Sequence, residues 1–433
     1  MPLQTSRRQF MGLIGAGLLT AQTSRKPNIV FLLSDDVGID LIGCYGSDRY
    51  KTPNIDALAK GGTRFENCYA APLCGPSRTL IQTGRYAFRT GGLTNQSWRA
   101  GGPGTQSKDE VPVAKVLKQA GYATCAAGKW RQVGETPGDW GFDEYVTDPT
   151  AGGWYWEKDY TRNGKLVDMP KDAYGPDVYH DFAMDFMRRN SAKPFYIYYS
   201  THLVHGPILR TPDTVGEGKD LYADNIAYLD KLVGKVVSEV DRLGLRNDTV
   251  IVFSGDNGTA RQSFTVRGRQ INGQKGTMME GGSRVPLIVN WKGKTPAGKV
   301  VPDLTDFTDF YSTFAELADA PLPSGVKIDS RSFAPQIRGL KGTPRDWVYV
   351  QLGRNYYVKD RGWKLTQGGE LFDMKEAPFE EKLVATEGAP ADAVQARKRL
   401  QAVLDDLNPN GGKTDNATAA DRQAKKANRM KKK

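Results

Sequence analysis

Short apolar segments that alternate with helical patterns constrain the fold of this chain more than any other feature. Residues 27–33 and 249–253 are apolar on both faces of a strand, which is typical of strands covered on both sides of a sheet. Apolar side chains recur at helical spacing over residues 222–240. The alternation predicts an α/β sandwich with a mostly parallel central sheet flanked by helices. The predicted strands are residues 27–33, 122–127, 195–199, 249–253 and 286–290, and the predicted helices are residues 52–59, 111–120 and 222–240.

The pattern changes after about residue 340, where short segments are typical of antiparallel strands. A last helix is predicted at about 391–407. The remaining residues, which are rich in Asn, Gly, Ala and Lys, are predicted to be disordered. We therefore predict four parts, which are an N-terminal signal 1–26, a main α/β domain 27–340, a C-terminal subdomain 341–408 with a small antiparallel sheet and a helix, and a basic tail 409–433.

The basic charge of the chain lies at its two ends. Of the formal net charge of +11, residues 409–433 carry +6 and residues 1–26 carry +4, which leaves +1 for residues 27–408. A protein that binds nucleic acid through its folded body concentrates Lys and Arg on that body. The charge distribution therefore argues against a body-wide nucleic-acid interface, and we expect no nucleic-acid partner.

The N-terminus resembles a twin-arginine export signal. Arg7 and Arg8 precede an apolar run, residues 11–21, which is too short and too Gly-rich to anchor the protein stably in a membrane. We expect cleavage near Ala21 and export by the twin-arginine route to the periplasm or the medium. The alternative is an ordinary mobile N-terminus that happens to contain two arginines.

Two of the predicted strands end in acidic or amide side chains. Asp35 and Asp36 follow the first strand, and Asp256 and Asn257 follow the strand at 249–253. Adjacent carboxylates at the end of a buried strand repel each other unless a cation neutralises them. Three carboxylates and an amide oxygen form an oxygen-only site that suits Ca²⁺ or Mg²⁺ rather than zinc. Either pair alone is also compatible with a helix cap or a turn.

Cys74 opens the segment CGPSRTLIQTGR, which carries the most chemical information in the chain. Pro76 suits the first turn of a helix that can continue to Gly84. Cys74 would then lie at the helix N-terminus, where free amides and the helix dipole favour an anion. Taken alone, the segment also fits a thiol with a lowered pKa or a buried small residue. The remaining cysteines are interpreted as buried small residues: Cys44, Cys68 and Cys125.

Two lysines and one histidine are further candidates for chemistry. Lys129 and Lys275 each lie in a Gly-flanked segment, where a lysine can act as a point charge on an anion, although a solvated loop lysine is the commoner case. His205, in the segment His-Gly-Pro, could protonate a leaving oxygen or bind an anion. His180 and His202 have no comparable context and are interpreted as structural.

In their order along the chain, these segments resemble the type I, formylglycine-dependent sulfatases of the alkaline phosphatase-like superfamily. The resemblance covers roughly residues 27–385. Because many separate motifs match in the same order, agreement by chance is remote. The matching segments are residues 28–36, 52–59, 74–85, 121–130, 141–144, 205–207, 254–258, 275–286 and 371–373.

The resemblance implies an alkaline-phosphatase-like fold and an arylsulfatase-like sulfuric ester hydrolase, which acts on a sulfated small molecule or, more specifically, on a sulfated glycan. Cys74 would be oxidised to formylglycine by a formylglycine-generating enzyme during maturation and would serve as the nucleophile. The resemblance also implies a Ca²⁺ ion, or Mg²⁺ in its place. Its ligands would be Asp35, Asp36, Asp256, Asn257 and the modified Cys74.

The resemblance also gives roles to the remaining candidates. Arg78 would hold the modified Cys74 in place. Lys129 and Lys275 would neutralise the sulfate oxygens, and His205 would assist the departure of the alcohol.

One position departs from the family pattern. The family often has a His two residues beyond the lysine of the Gly-Lys-Trp segment, where it takes a proton as the aldehyde reforms, and this chain has Arg131. Arginine stays protonated and cannot serve as that base. Three interpretations remain open: another group or water takes the proton, Arg131 binds a carboxylate or a second sulfate of the substrate, or the site captures sulfate and releases it slowly.

The sequence leaves the substrate open. Trp154, with its neighbours Tyr155 and Trp156 and with Trp140, could stack on sugar rings, or these rings could pack the domain. Two alternative functions also remain. One is a phosphonate or phosphodiester hydrolase on the same scaffold, and the other, motivated by Arg131, is a degenerate sulfoglycan-binding protein.

Overall fold

The computed structural model describes residues 25–98, 102–130, 133–148, 155–156, 159–170, 172–260 and 262–414. The strands are β1 Asn28–Ser34, β2 Thr63–Tyr69, β3 Ala123–Gly128, β4 Glu144–Thr147, β5 Asp159–Arg162, β6 Lys165–Asp168, β7 Phe195–Ser200, β8 Thr249–Gly255, β9 Ser263–Val266, β10 Arg269–Asn272, β11 Arg284–Asn290, β12 Lys299–Asp306, β13 Val348–Leu352, β14 Asn355–Lys359, β15 Trp363–Thr366, β16 Leu371–Asp373 and β17 Lys382–Val384. The α-helices are α1 Pro53–Lys60, α2 Cys74–Thr83, α3 Ala87–Thr90, α4 Val113–Gln119, α5 Gly175–Arg189, α6 Leu221–Arg242, α7 Glu280–Ser283, α8 Asp309–Leu317, α9 Ala334–Ile337 and α10 Ala391–Leu407.

Strand β1 lies inside a ten-stranded sheet with the order β12-β2-β11-β8-β1-β7-β3-β4-β5-β6. It pairs in parallel with β7 on one side and with β8 on the other, and β3 continues the parallel arrangement beyond β7. In contrast, β11 runs antiparallel to both of its neighbours, and β5 and β6 run antiparallel at the far edge. The neighbouring parallel strands β8, β1, β7 and β3 therefore all end at the same edge of the sheet.

The alternation of side chains along β1 explains why the large sheet is covered on both faces. Ile29, Phe31 and Leu33 pack on one face with residues of α2, α4 and α8. Val30 and Leu32 pack on the other face with residues of α1, α5 and α6. Full burial of an aliphatic or aromatic side chain of this size contributes about 1.5–3 kcal/mol, so β1 helps to anchor both layers.

The small sheet is an antiparallel meander, β13 to β17, and α10 packs against it. An apolar cluster joins the two sheets, with Tyr69 and Leu304 from the large sheet and Val348 and Tyr357 from the small one. Beside this cluster, buried charged side chains of the small sheet reach the segment that leads into α7. These contacts make the small sheet continuous with the main domain.

Two buried lysines carry those contacts. The Nζ atom of Lys359, on β14, lies 2.9 Å from Oε1 of Glu280, and it also donates to the hydroxyl of Tyr69. The Nζ atom of Lys364, on β15, pairs with Glu381 and donates to the carbonyl of Met278 at 3.2 Å. Glu381 in turn accepts a hydrogen bond of 2.6 Å from the backbone N–H of Glu280. The turn between Lys275 and α7 is thus held from the C-terminal subdomain.

The predicted fold class is confirmed, and every predicted strand overlaps an observed one. Two predicted boundaries need correction. The helix predicted at 111–120 is Val113–Gln119, because Pro112 precedes the first turn rather than lying within it. The tail predicted to be disordered from residue 409 begins with an ordered 3₁₀ turn, Pro409–Gly411, and Lys413 then donates a backbone hydrogen bond of 2.7 Å to Phe88.

The predicted export signal, residues 1–26, lies outside the described residues except for its last two positions. Within the described ranges, no helix combines the length and the apolar character that a membrane crossing requires.

We predict that Lys359→Met destabilises the protein, because the buried Glu280 carboxylate would lose its nearer charged partner and keep only Arg284, 3.7 Å away. Loss of one partner of a buried ion pair costs about 3–5 kcal/mol of unfolding free energy. Urea denaturation measures the change. The matched control is Lys375→Met, since Lys375 pairs with Asp373 while its side chain is 68% exposed, and exposed pairs contribute about 0–1 kcal/mol. Equal, small effects of the two substitutions would contradict the prediction.

Candidate active site

The register of the parallel strands brings the predicted site residues to one edge of the large sheet. Ser34, the last residue of β1, pairs with Gly255 of β8, and Leu33 pairs with Ser200 of β7. Gly128, the last residue of β3, also pairs with Ser200. Asp35, Lys129 and Asp256 follow these positions directly in the chain and therefore emerge side by side. This is the edge where parallel α/β sheets usually bind ligands.

Asp35 and Asp36 are both buried directly beyond β1. Asp36 adopts a left-handed backbone conformation with a φ of 60°, which costs a non-glycine residue about 1–3 kcal/mol. Burial alone would raise the pKa of Asp35, but Lys129, His205 and Lys275 hold it well below its ordinary value. Burial and the neighbouring Asp35 carboxylate raise the pKa of Asp36. The two adjacent carboxylates therefore oppose each other's ionisation, and the cations around them determine how much charge they carry.

Cys74 is the first residue of α2 and is 1% exposed. Its Sγ atom lies 3.4 Å from Oδ1 of Asp35, and the backbone N–H of the next residue, Gly75, donates to Asn95 Oδ1 at 2.8 Å. Burial raises the pKa of the Cys74 thiol, and the Asp256 and Asp35 carboxylates raise it further. This environment opposes the alternative of a thiol with a lowered pKa at the helix start.

Two lysine side chains enter the acidic group from different loops. The Nζ atom of Lys129, beyond β3, forms a buried ion pair with Asp35, and the Nζ atom of Lys275 forms an ion pair with Asp36. Burial would lower the pKa of Lys129, but Asp35 and Cys74 raise it above its ordinary value. The pKa of Lys275 is raised in the same way, so both lysines are held as cations near Cys74, and neither is a solvated loop lysine.

Arg78 lies one turn along α2 from Cys74, and its side chain is completely buried. Its Nη2 and Nε atoms donate to Oδ2 of Asp256 at 2.7 and 3.1 Å, and its Nη1 atom donates to the carbonyl of Lys129 at 2.9 Å and to the hydroxyl of Ser200. The guanidinium therefore joins α2 to the ends of β3, β7 and β8. The resemblance implied that Arg78 holds the modified Cys74 in place, and the sequence did not indicate the contact between Arg78 and Ser200.

Asp256 and Asn257 lie beside the first acidic pair. Asp256 Oδ1 accepts a hydrogen bond of 3.2 Å from the backbone N–H of Asp36, and Asn257 Nδ2 donates to Asp36 Oδ1 at 2.8 Å. A side chain at the next residue, Gly258, would meet the carbonyl oxygen of Gly281 at 1.9 Å, so only glycine permits this close approach. The Asn257 loop thereby packs directly on α7, which follows the turn that carries Lys275.

His205 closes the site from the segment after β7. Its Nε2 atom lies 4.0 Å from Oδ2 of Asp36, and its Nδ1 atom lies 2.6 Å from the carbonyl oxygen of Gly206. The carbonyl of His205 accepts a hydrogen bond of 2.5 Å from the Tyr155 hydroxyl. Because a quarter of its side chain is exposed, His205 can meet both the buried acidic group and a ligand from solvent.

The arrangement fits a hard cation. Ligand atoms of Asp35, Asp36, Cys74 and His205 lie within 4.8 Å of one another. Asn257 Oδ1 is buried, and it has no hydrogen-bond donor among the described residues. A buried carbonyl oxygen without a donor is costly, and a cation would satisfy it. The predicted ligand set is thus brought together, with His205 adjacent to it and with Asp256 turned toward Arg78.

The comparisons with known proteins agree with this geometry. The family model described as Sulfatase matches residues 27–320 of this chain. The chain belongs to the sulfatase family. Among its relatives, this sulfatase is 31% identical over 410 residues to N-acetylgalactosamine-6-sulfatase of Canis lupus familiaris, covering 85% of this chain and 78% of the relative. It is 32% identical over 381 residues to arylsulfatase A of Homo sapiens, covering 79% and 73%.

A solved structure has the same architecture. Ps i-CgsB in complex with k-i-k-neocarrahexaose superimposes on this sulfatase with a TM-score of 0.75 and 27% identity, over 88% of this chain and 93% of the other. The relatives, the structure and the site together identify this sulfatase as a sulfuric ester hydrolase.

Not every residue singled out by the sequence can be placed in the sulfatase site. Arg131 and Trp154 lie outside the described residues. Trp140 and Tyr155 are buried, so these two rings pack the domain rather than face a sugar. Trp156 is 41% exposed and lies beside the His205 segment.

We predict that Arg78→Lys impairs this sulfatase although the charge is kept, because a single ammonium cannot replace the guanidinium contacts to Asp256, Lys129 and Ser200. We expect a loss of about 10²-fold in kcat/KM on an aryl sulfate, together with a lower thermal midpoint. The matched control is Arg49→Lys, since Arg49 pairs with Asp220 but its side chain is 55% exposed. A variant with full activity would show that Arg78 does not hold the site together.

Proposed function

We propose that this protein hydrolyses a sulfate ester of a sulfated glycan, with a formylglycine derived from Cys74 as nucleophile and a bound Ca²⁺ ion. The observation that carries the proposal is the position of Cys74. It starts a helix, touches Asp35, and lies within one buried group with Lys129 and Lys275. A thiol is poorly suited to act there, because burial and the carboxylates keep it protonated.

The proposed reaction consumes one water molecule. The S–O bond of the ester breaks, the substrate leaves as a free alcohol, and inorganic sulfate is the second product. When present, formylglycine supplies the attacking oxygen of a hydrated aldehyde, and Ca²⁺ supplies Lewis-acid polarisation. Asp35, Asp36, Asp256 and Asn257 would hold the cation through oxygen atoms, which are the ligands that Ca²⁺ prefers.

The lysines would neutralise the sulfate. Lys129 and Lys275 now pair with Asp35 and Asp36, and a bound cation would take over those carboxylates. Both ammonium groups could then turn to the sulfate oxygens, where negative charge must be stabilised. Their approach from two different loops allows them to contact different oxygens.

His205 and Arg78 would act at opposite ends of the reacting group. The partly exposed ring of His205 lies between the acidic group and solvent, where the alcohol departs, and could give it a proton. Arg78 is fully engaged with Asp256, Lys129 and Ser200. Its contribution is therefore to keep the Asp256 and Lys129 loops in register with α2.

Two features support a glycan as the substrate. The N-acetylgalactosamine-6-sulfatase relative is named for a sulfated sugar, and the Ps i-CgsB structure holds k-i-k-neocarrahexaose. Trp156 also exposes its ring beside the His205 segment.

Maturation and export complete the proposal. The Cys74 segment supports maturation by a formylglycine-generating enzyme, and Arg7 and Arg8 support twin-arginine export to the periplasm or the medium.

We expect the peptide that contains Cys74 to carry an aldehyde in place of the thiol when the protein is produced with a formylglycine-generating enzyme. Peptide mass spectrometry measures the change, and the peptide that contains Cys125 serves as an internal control. Cys74→Ala should lower kcat on an aryl sulfate by at least about 10³-fold, whereas Cys44→Ala should not. An unmodified Cys74 in an active preparation would refute the proposed nucleophile.

We expect Ca²⁺ to stabilise the folded protein after treatment with a chelator. Binding to the native state alone adds about 2.7 kcal/mol of unfolding free energy when the ion is at 100 times its Kd. Thermal unfolding at a series of Ca²⁺ concentrations measures this, and a parallel series with Mg²⁺ identifies the preferred ion. Asn257→Ala should weaken the dependence, whereas Asn67→Ala, which loses a surface hydrogen bond to Pro302, should keep it. A thermal midpoint that changes with neither Ca²⁺ nor Mg²⁺ concentration would exclude the metal site.

A further inference from the structure

A groove beside the His205 segment has no role in the chemistry above. It is a cavity of about 610 Å³ between the β5–β6 hairpin, the start of α5 and the loop around Pro212. We call it the Trp156 groove and define it by Trp156, Tyr160, Tyr174, Phe182, Asp172 and Asp181. We propose that the Trp156 groove binds an uncharged sugar unit that adjoins the sulfated unit of the substrate. This inference rests on the proposed function and extends it.

The Trp156 ring is held as a platform. Its Nε1 atom donates to the carbonyl of Arg210 at 2.9 Å, and its ring centroid lies 4.9 Å from that of Tyr174, which is buried behind it. Even so, 41% of Trp156 is exposed. An aromatic ring that is fixed in orientation and open on one side offers an apolar surface to the C–H face of a sugar at little entropic cost.

The platform lies next to the catalytic histidine segment. Tyr155, the residue before Trp156, donates its hydroxyl to the carbonyls of His205 at 2.5 Å and of His202 at 3.0 Å. Trp156 itself bonds to Arg210, five residues beyond His205. The Tyr155–Trp156 pair therefore contacts both ends of the segment that carries His205. A sugar on Trp156 would lie beside the unit whose ester is cleaved.

The charge of the described lining residues selects against a second sulfate in the groove. Asp177 and Asp185 already accept hydrogen bonds from Tyr228 and Arg189, respectively. Asp172 and Asp181 have no hydrogen-bond or ion-pair partner in the described part of the chain, and both are exposed.

Free carboxylates accept hydrogen bonds from sugar hydroxyls and repel sulfate. Among the described lining residues, the cation is Arg162, which lies over the Phe182 ring, 5.0 Å from its centroid. The pocket around Cys74 has the opposite charge preference, because Lys129 and Lys275 attract an anion there. The two sites together would recognise a sulfated unit followed by an unsulfated one.

The test uses matched pairs of oligosaccharides. The two members of a pair share one sulfated unit and differ in a second sulfate on the adjacent unit, as κ- and ι-carrageenan disaccharides do. In each pair that the mature enzyme cleaves, we expect its kcat/KM for the singly sulfated member to be about tenfold higher than its kcat/KM for the doubly sulfated member. Equal rates, or a preference for the doubly sulfated member, would overturn the proposal.

Two sets of variants test the Trp156 ring and the groove carboxylates independently. Trp156→Ala should lower kcat/KM on the singly sulfated member about tenfold relative to the same variant's rate on a small aryl sulfate, and Trp156→Phe should restore much of the loss. Asp172→Asn combined with Asp181→Asn should bring the two members of a pair toward equal rates. Leu322→Ala, which removes another exposed apolar side chain, is the control and should change neither ratio. Unchanged ratios in the groove variants would refute the assignment.

Activity on the aryl sulfate distinguishes a failure of the proposed function from a failure of the proposed sugar site. If the mature enzyme cleaves neither the aryl sulfate nor any oligosaccharide, the proposed function fails. If it cleaves the aryl sulfate but no oligosaccharide pair, the proposed reaction stands and the Trp156 groove is not a sugar site.

Discussion

The balance of buried charge at the carboxyl edge of the large sheet governs the rest of the site. Two adjacent carboxylates, Asp35 and Asp36, end a fully buried strand, where they cannot remain ionised without cations nearby. Lys129 and Lys275 each pair with one of these carboxylates from a different loop, and beside them the carbonyl oxygen of Asn257 has no donor in the described part of the chain. The buried oxygen of Asn257 and the crowded carboxylates favour the proposed metal ion, and the two lysines favour the proposed binding of a sulfate.

The sequence predicts this edge well because strand ends are local features. Parallel strands that are apolar on both faces must lie in the middle of a sheet, and their polar successors must then emerge together. That reasoning applies to Asp35, Asp256 and Lys129, each of which directly follows one of the parallel strands. Cys74 follows from its own segment, since Pro76 sets the start of α2.

Contacts that depend on distant parts of the chain were beyond sequence reasoning. The pairing of Arg78 with Asp256 spans 178 residues, and nothing local indicates that the guanidinium turns to that carboxylate instead of to Cys74. The antiparallel insertion of β11 between β2 and β8 is equally non-local, because parallel and antiparallel central strands share the same apolar pattern. Composition also cannot distinguish a tryptophan in the core from one at the surface, as the buried Trp140 and the exposed Trp156 show.

The buried lysines of the small sheet have a consequence for how such proteins can diverge. Lys359 and Lys364 hold the turn that presents Lys275, yet both lie beyond residue 320, where the match to the family model ends. The C-terminal subdomain is therefore not an interchangeable module. An exchange with a relative preserves the active site only if Glu280, in the main domain, keeps its charged partner across the junction.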